Sequence, residues 1–172
     1  MYNIGIFTSS RSDYGILSNI IKKLNENINV RLKIFVAGSH LSKVYGYTVN
    51  EIKKDINSEL IYCPNIIFNK HKIDMAASSN KLISIFKKKL DRSKIKTIIF
   101  LGDRYEILPA ALICLLKGVK IVHIHGGEIT EGAIDNYIRN AMSMISNYHF
   151  VATPKSKKRL LNFGIDKKRV FL

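Results

Sequence analysis

Apolar residues along this chain follow two alternating rhythms. Short runs rich in β-branched and aromatic residues, such as YNIGIFT at residues 2–8 and IKTIIFL at 95–101, read as buried strands. Between them lie longer stretches with apolar positions three and four apart. In residues 13–24 these are Tyr14, Ile16, Leu17, Ile20, Ile21 and Leu24, the spacing of a helix with one buried face. Further strands are predicted at 30–37, 60–63, 119–125 and 149–152, with another beginning at 169. Helices are predicted at 73–90, 105–117, 134–145 and 155–163, and a short one ends near Asp55. That short helix opens on Thr48 and Glu51, spaced as a capping box. Pro109 falls in the first turns of its helix, where a missing N–H is tolerated, and Gly118 closes it. Residues 64–72 lack a pattern and are expected to form a mobile loop. Strand–helix alternation throughout predicts an α/β fold, a doubly wound parallel sheet of Rossmann-like layout with right-handed crossovers.

A length of 172 residues suits one domain with a full core, and a 47% hydrophobic composition is that of a globular chain. The apolar runs are too short to span a bilayer and the amino terminus does not resemble a signal peptide, so a cytoplasmic protein without membrane contact is expected. Cys63 and Cys114 stand in no metal-ligand spacing and read as reduced thiols. The formal charge of +15, from 28 basic and 13 acidic residues, would attract polyanions or phosphorylated substrates. Its lysines sit largely on solvated helix faces without interleaved aromatics, which argues against nucleic acid as a partner.

Candidate chemistry gathers at three predicted strand ends. Arg11 follows the first strand, within a Ser-rich turn whose free N–H groups suit an anion. Asp103 and Arg104 follow the strand at 95–101. The stretch from His125 to Asp135 follows the next and carries two glycines with Glu128, Glu131 and Asp135. Parallel strands bring all three ends to one edge of the sheet, where open α/β folds bind ligands. Carboxylates crowded among arginines can then titrate apart, one serving as acid and another as base. Structural roles are equally consistent with the spacing: Asp103 as a helix cap, Glu131 and Asp135 as first-turn acids, Arg139 paired with Asp135 one helical turn away. His123 and His125, two apart on a strand, lack an evident third metal ligand and read as one packed and one site-facing histidine.

The segments TSSRSDYG, GSHLSKVYGYTVNEI, FLGDRYEILPAA and HIHGGEITEGAIDNYIRNAMSMISNYHFVAT resemble the amino-terminal half of the hydrolysing UDP-N-acetylglucosamine 2-epimerases of bacterial sialic acid synthesis. The combination of GDR, HIHGGE and GAID followed by IR is specific, and the resemblance covers nearly the whole chain. It implies one half of a glycosyltransferase-B-like architecture, with residues 1–172 forming the first of two Rossmann-like domains and a carboxyl-terminal nucleotide-binding domain missing. It also implies loss of the carbon-2 proton and of UDP to give 2-acetamidoglucal, followed by hydration to N-acetylmannosamine. No cofactor or metal is expected, and homo-oligomers are. On this resemblance Asp103, Glu128 and Asp135 supply acid–base groups. Arg11, Arg104, His125, Glu131 and Arg139 contact the UDP-sugar.

Two positions depart from the family's pattern. A second acid commonly follows the Asp135 position, where this chain has Asn136, and the often-histidine position 140 is Asn140. An amide can orient a substrate but exchanges no proton near neutral pH. The same chemistry on UDP-N,N'-diacetylbacillosamine, for legionaminic acid, is an alternative, as is a truncated, non-catalytic half-protein.

Overall fold

The computed structural model describes residues 1–130 and 134–172. The first strand, β1 (Tyr2–Thr8), is followed by helix α1 (Arg11–Glu26). This helix starts two residues earlier than its apolar spacing indicates, because Ser10 Oγ accepts the Asp13 N–H and caps it. Strand β2 (Val30–Val36) leads through two single-turn 3₁₀ segments to α2 (Val49–Asp55) and β3 (Glu59–Tyr62). The expected capping box does not form. Thr48 Oγ1 meets His40 Nδ1 at 2.7 Å instead, and Glu51 pairs with Arg11.

Residues 64–72 hold structure that their sequence does not announce. A two-stranded antiparallel hairpin, β4 (Phe68–Asn69) with β5 (Lys72–Ile73), precedes α3 (Met75–Ser93), whose first turn is capped by Asp74 Oδ1 accepting from the Ala77 N–H. The chain continues through β6 (Thr97–Leu101), α4 (Ile107–Leu116), β7 (Lys120–Ile124) and α5 (Ile134–Ile145). It ends with β8 (Tyr148–Phe150), α6 (Pro154–Asn162) and β9 (Val170–Phe171).

Seven strands form one parallel sheet in the order β3-β2-β1-β6-β7-β8-β9. Side chains alternate between its faces, so Phe7 and Phe100 join one core while their neighbours Ile6 and Leu101 join the other. The first core packs Leu82 and Phe86 of α3, Ala110 and Cys114 of α4, and Ile138 and Met142 of α5. The second packs Leu17 and Ile21 of α1 with Val49 and Ile52 of α2. This is the doubly wound arrangement expected from the alternation of elements. Among the described residues, no helix is long and apolar enough to cross a membrane.

Candidate active site at the carboxyl edge of the sheet

Strands β1 and β6 are neighbours, yet the helices that follow them cover opposite faces. The two chain segments diverge as they leave the sheet, opening a crevice at its carboxyl edge. Two left-handed glycines shape this edge: Gly102 (φ +73) ends β6, and Gly38 (φ +56) follows β2. A Cβ on Gly38 would lie 2.5 Å from the Ser9 carbonyl oxygen, so only glycine fits against the end of β1.

Beyond Gly102, Asp103 Oδ2 accepts hydrogen bonds from Arg139 Nη2 on α5 and, at 3.5 Å, from Thr130 Oγ1. Arg139, on the buried side of α5, is only 7% exposed. The turn bearing Asp103 is braced from beneath. His123 is fully buried in β7, and its Nε2–H donates to the Gly102 carbonyl at 2.7 Å. Burial pushes its pKa down to about 4, so the ring is neutral and Nδ1 is left as an acceptor facing Ser143 Oγ at 3.4 Å. The same ring supports the next turn, because a Cβ on Gly126 would come within 3.0 Å of Nδ1. One histidine therefore sets the spacing between the loop of Asp103 and the loop of Glu128.

His125 does not continue the strand. At φ +64 it turns out of β7, so it and His123 do not share a face and could not chelate one ion as a strand pair. Its Nδ1 lies 3.8 Å from Glu128 Oε1, each side chain about one-third exposed. Gly127 (φ +75) packs against the Ser156 carbonyl and accepts a hydrogen bond from Arg159 Nη1, which ties this loop to α6.

A second cluster lies on the β1 side of the crevice. Asp13 Oδ2 accepts from the Ser9 hydroxyl at 3.1 Å and from the Ser9 N–H at 3.4 Å. Arg104 places Nε 3.9 Å from Asp13 and 3.4 Å from Glu106, whose side chain is essentially unexposed. Burial raises both carboxyl pKa values, opposed by the charge of Arg104. His40 joins Thr8 Oγ1 (2.9 Å) to Thr48 Oγ1 (2.7 Å), and burial followed by the nearby Arg104 lowers its pKa to about 4.

A family model described as UDP-N-acetylglucosamine 2-epimerase matches residues 22–172. The chain belongs to that family. It is 37% identical over 170 residues to a GDP/UDP-N,N'-diacetylbacillosamine 2-epimerase (hydrolyzing) of Campylobacter jejuni, covering 98% of this chain and 44% of that protein. A UDP-N,N'-diacetylbacillosamine 2-epimerase (hydrolyzing) of Legionella pneumophila is also 37% identical, over 95% of this chain and 43% of its own length. The UDP-N-acetylglucosamine 2-epimerase of Neisseria meningitidis is 27% identical over 100% of this chain and 45% of its own. Among solved structures, UDP-GlcNAc 2-epimerase from Neisseria meningitidis bound to UDP-GlcNAc superposes with a TM-score of 0.82 at 19% identity, covering 100% of this chain and 46% of that one. The chain thus spans rather less than half the length of these relatives.

Within this epimerase-family domain, the residues singled out from sequence separate into distinct settings. Asp103 and Arg139 are in direct contact, with Glu128 and His125 on the adjoining loop. Asp135 lies in the first turn of α5, and Glu131 is outside the described residues. Arg139 does not take Asp135 as its partner, and Asp103 does not cap α4. Arg11 sits on the outer side of α1, 74% exposed and 2.9 Å from Glu51, beside an open cleft of ≈ 540 Å³ between α1 and α2. Arg104 is turned toward Asp13 and Glu106. Asp13, Glu106 and His40 escape sequence reasoning because each resembles an ordinary loop or helix-start residue. The Ser9–Asp13 spacing, four residues apart across a strand–helix turn, is the available signal for Asp13.

Proposed function

We propose that this chain is the amino-terminal domain of a hydrolysing UDP-sugar 2-epimerase. The observation that carries the reading is the Asp103–Arg139 pair set beside Glu128 at the carboxyl edge of β6 and β7, in a chain of this family. A carboxylate removes the proton from carbon 2 of a 2-acetamido sugar as the bond from carbon 1 to the UDP oxygen breaks, leaving a carbon 1–carbon 2 double bond. Water then adds its hydroxyl to carbon 1, giving its remaining proton to a carboxylate, and a carboxylic acid returns a proton to carbon 2 from the opposite face. Two acid–base groups and a cation near the leaving diphosphate meet these needs. Asp103, Glu128 and Asp135 are the acid–base candidates, with Arg104, Arg139, His125, Glu131 and Arg11 as substrate contacts.

The reading includes a second nucleotide-binding domain, consistent with relatives about twice as long. It also includes self-association in the cytoplasm, for which the exposed Leu112, Leu115 and Leu116 of α4 offer an apolar face. Two substrates compete. The 37% identity to hydrolysing UDP-N,N'-diacetylbacillosamine 2-epimerases, against 27% to a UDP-N-acetylglucosamine 2-epimerase, favours UDP-N,N'-diacetylbacillosamine over UDP-N-acetylglucosamine. The test is a proton NMR time course with each UDP-sugar, following release of UDP and of the 2-epimeric free sugar. Turnover of UDP-N,N'-diacetylbacillosamine alone supports the first substrate. Epimerisation with UDP still attached would overturn the hydrolysing mechanism.

A further inference from the structure

His123 interrupts the apolar run of Ile121, Val122 and Ile124 in β7, and it is completely buried. An apolar residue would serve the core there, whereas a buried imidazole is costly unless its nitrogens are engaged. Its Nε2–H donates at 2.7 Å to the Gly102 carbonyl, and the Gly102 N–H in turn donates at 3.0 Å to the Ile124 carbonyl. Both sides of Gly102 are thereby tied to β7, and the peptide that the imidazole holds is the one leading into Asp103. The side of Gly102 where a Cβ would stand is open, with no atom within 4 Å, so packing does not hold the turn from that direction.

The same ring reaches two further segments. Its Nδ1 lies 3.0 Å from where a Cβ on Gly126 would stand, two residues before Glu128. Nδ1 also faces Ser143 Oγ at 3.4 Å, and that hydroxyl donates at 2.9 Å to the Arg139 carbonyl one turn earlier in α5. Behind the ring stands His149, its register partner in β8, edge to face at 6.5 Å between centroids. One buried side chain therefore touches the segments that carry Asp103, Glu128 and Arg139. We propose that His123 is a positioning residue: through the bond from Nε2–H to Gly102 it fixes Asp103 relative to Glu128 and Arg139 without touching substrate. Its consequence for turnover rests on the epimerase reading, whereas its hold on the Gly102 turn does not. Displaced acid–base groups lose rate more than binding, because their alignment matters most in the transition state.

Nitrogen-15 NMR of the wild-type chain tests the bond without any substitution. A carbonyl only accepts, so the His123 proton is expected on Nε2, and a ring protonated on Nδ1 alone would overturn the proposal. His123→Gln brings an amide N–H to about the place of Nε2, whereas the shorter His123→Asn does not reach Gly102. Protection of the Gly102 N–H from hydrogen exchange, taken relative to that of Ile99 in β6, is expected to fall about tenfold or more in His123→Asn and to stay near wild type in His123→Gln. Undiminished protection in His123→Asn would overturn the hold on the turn. In the UDP-sugar assay, His123→Asn is expected to lower kcat about 10- to 100-fold with KM within about twofold of wild type, and His123→Gln to recover most of kcat. Wild-type kcat in His123→Asn, a loss confined to KM, or a loss that His123→Gln does not recover would remove the positioning role. Wild-type protein that releases UDP from neither sugar would overturn the epimerase reading, while the tautomer and exchange results would still decide whether His123 holds the turn.

Discussion

Asp103 and Arg139 are 36 residues apart in sequence and share a hydrogen bond between the turn after β6 and the second turn of α5. Each is nearly enclosed, so neither charge is well hydrated without the other. Arg139→Ala is therefore expected to destabilise the fold by about 3–5 kcal/mol in urea unfolding, since it leaves an enclosed carboxylate unpaired. Asp103→Asn, whose amide oxygen can still accept from Nη2, is expected to cost less. A double-mutant cycle between the two positions is expected to show a coupling of about 1–3 kcal/mol. Strictly additive losses would mean that the pair contributes nothing of its own.

Gly38 and Gly102 both occupy the left-handed region, with different surroundings. An added Cβ at Gly102 meets nothing within 4 Å, whereas at Gly38 it meets the Ser9 backbone at 2.5 Å. Gly102→Ala is expected to cost only the conformational penalty of about 1–2 kcal/mol. Gly38→Ala adds an overlap with backbone that a rotamer change cannot relieve, bringing the loss to about 2–5 kcal/mol. Chemical denaturation of the two variants side by side checks this, and equal losses would rule out the close approach of β1 to the Gly38 turn.

The strands were legible in the sequence because a parallel sheet covered on both faces needs continuous apolar runs, and YNIGIFT shows β1 to the residue. Helices α3 and α5 were legible for the complementary reason, one apolar stripe against a charged face. Partner choice was not. Thr48 and Glu51 have capping-box spacing, but His40 and Arg11, distant in sequence, compete for their side chains and win. Arg139 had Asp135 one turn away and went to Asp103. A spacing of two would put His123 and His125 on one face of a continuing strand, and a single positive φ at His125 breaks that relation. Local pattern thus fixes which backbone forms, while side-chain pairing at the crevice depends on which strand ends the sheet order brings together.

Three buried histidines give the stability a pH dependence. Burial lowers the pKa of His40, His123 and His149 to about 4. A group whose folded pKa lies below its unfolded value of about 6.5 contributes fully above that value and loses its contribution as pH falls toward the folded pKa. His149 isolates the effect, since neither ring nitrogen has a hydrogen-bond partner among the described residues and its substitution breaks no such bond. His149→Phe keeps an aromatic ring against His123 and cannot take up a proton. Its melting temperature is expected to gain on wild type as pH drops from 7.5 to 5. A difference that does not change with pH would mean that His149 does not stay neutral in the folded protein.

The chemistry itself is tested at Asp103 and Glu128. If these carboxylates exchange protons with carbon 2 of a UDP-sugar, then Asp103→Asn and Glu128→Gln should each lower kcat by about 100-fold or more, with far-ultraviolet circular dichroism unchanged. Each amide keeps the shape of the acid it replaces but neither accepts nor releases a proton near neutrality. Arg11 offers the contrast, because its guanidinium is exposed and engaged with Glu51. Arg11→Ala should therefore act on KM with kcat nearly intact. Solvent deuterium gives a further readout, since return of a proton to carbon 2 labels the product there in D₂O. Product free of deuterium at that carbon, or full turnover in either amide variant, would remove these carboxylates from the proton-transfer steps.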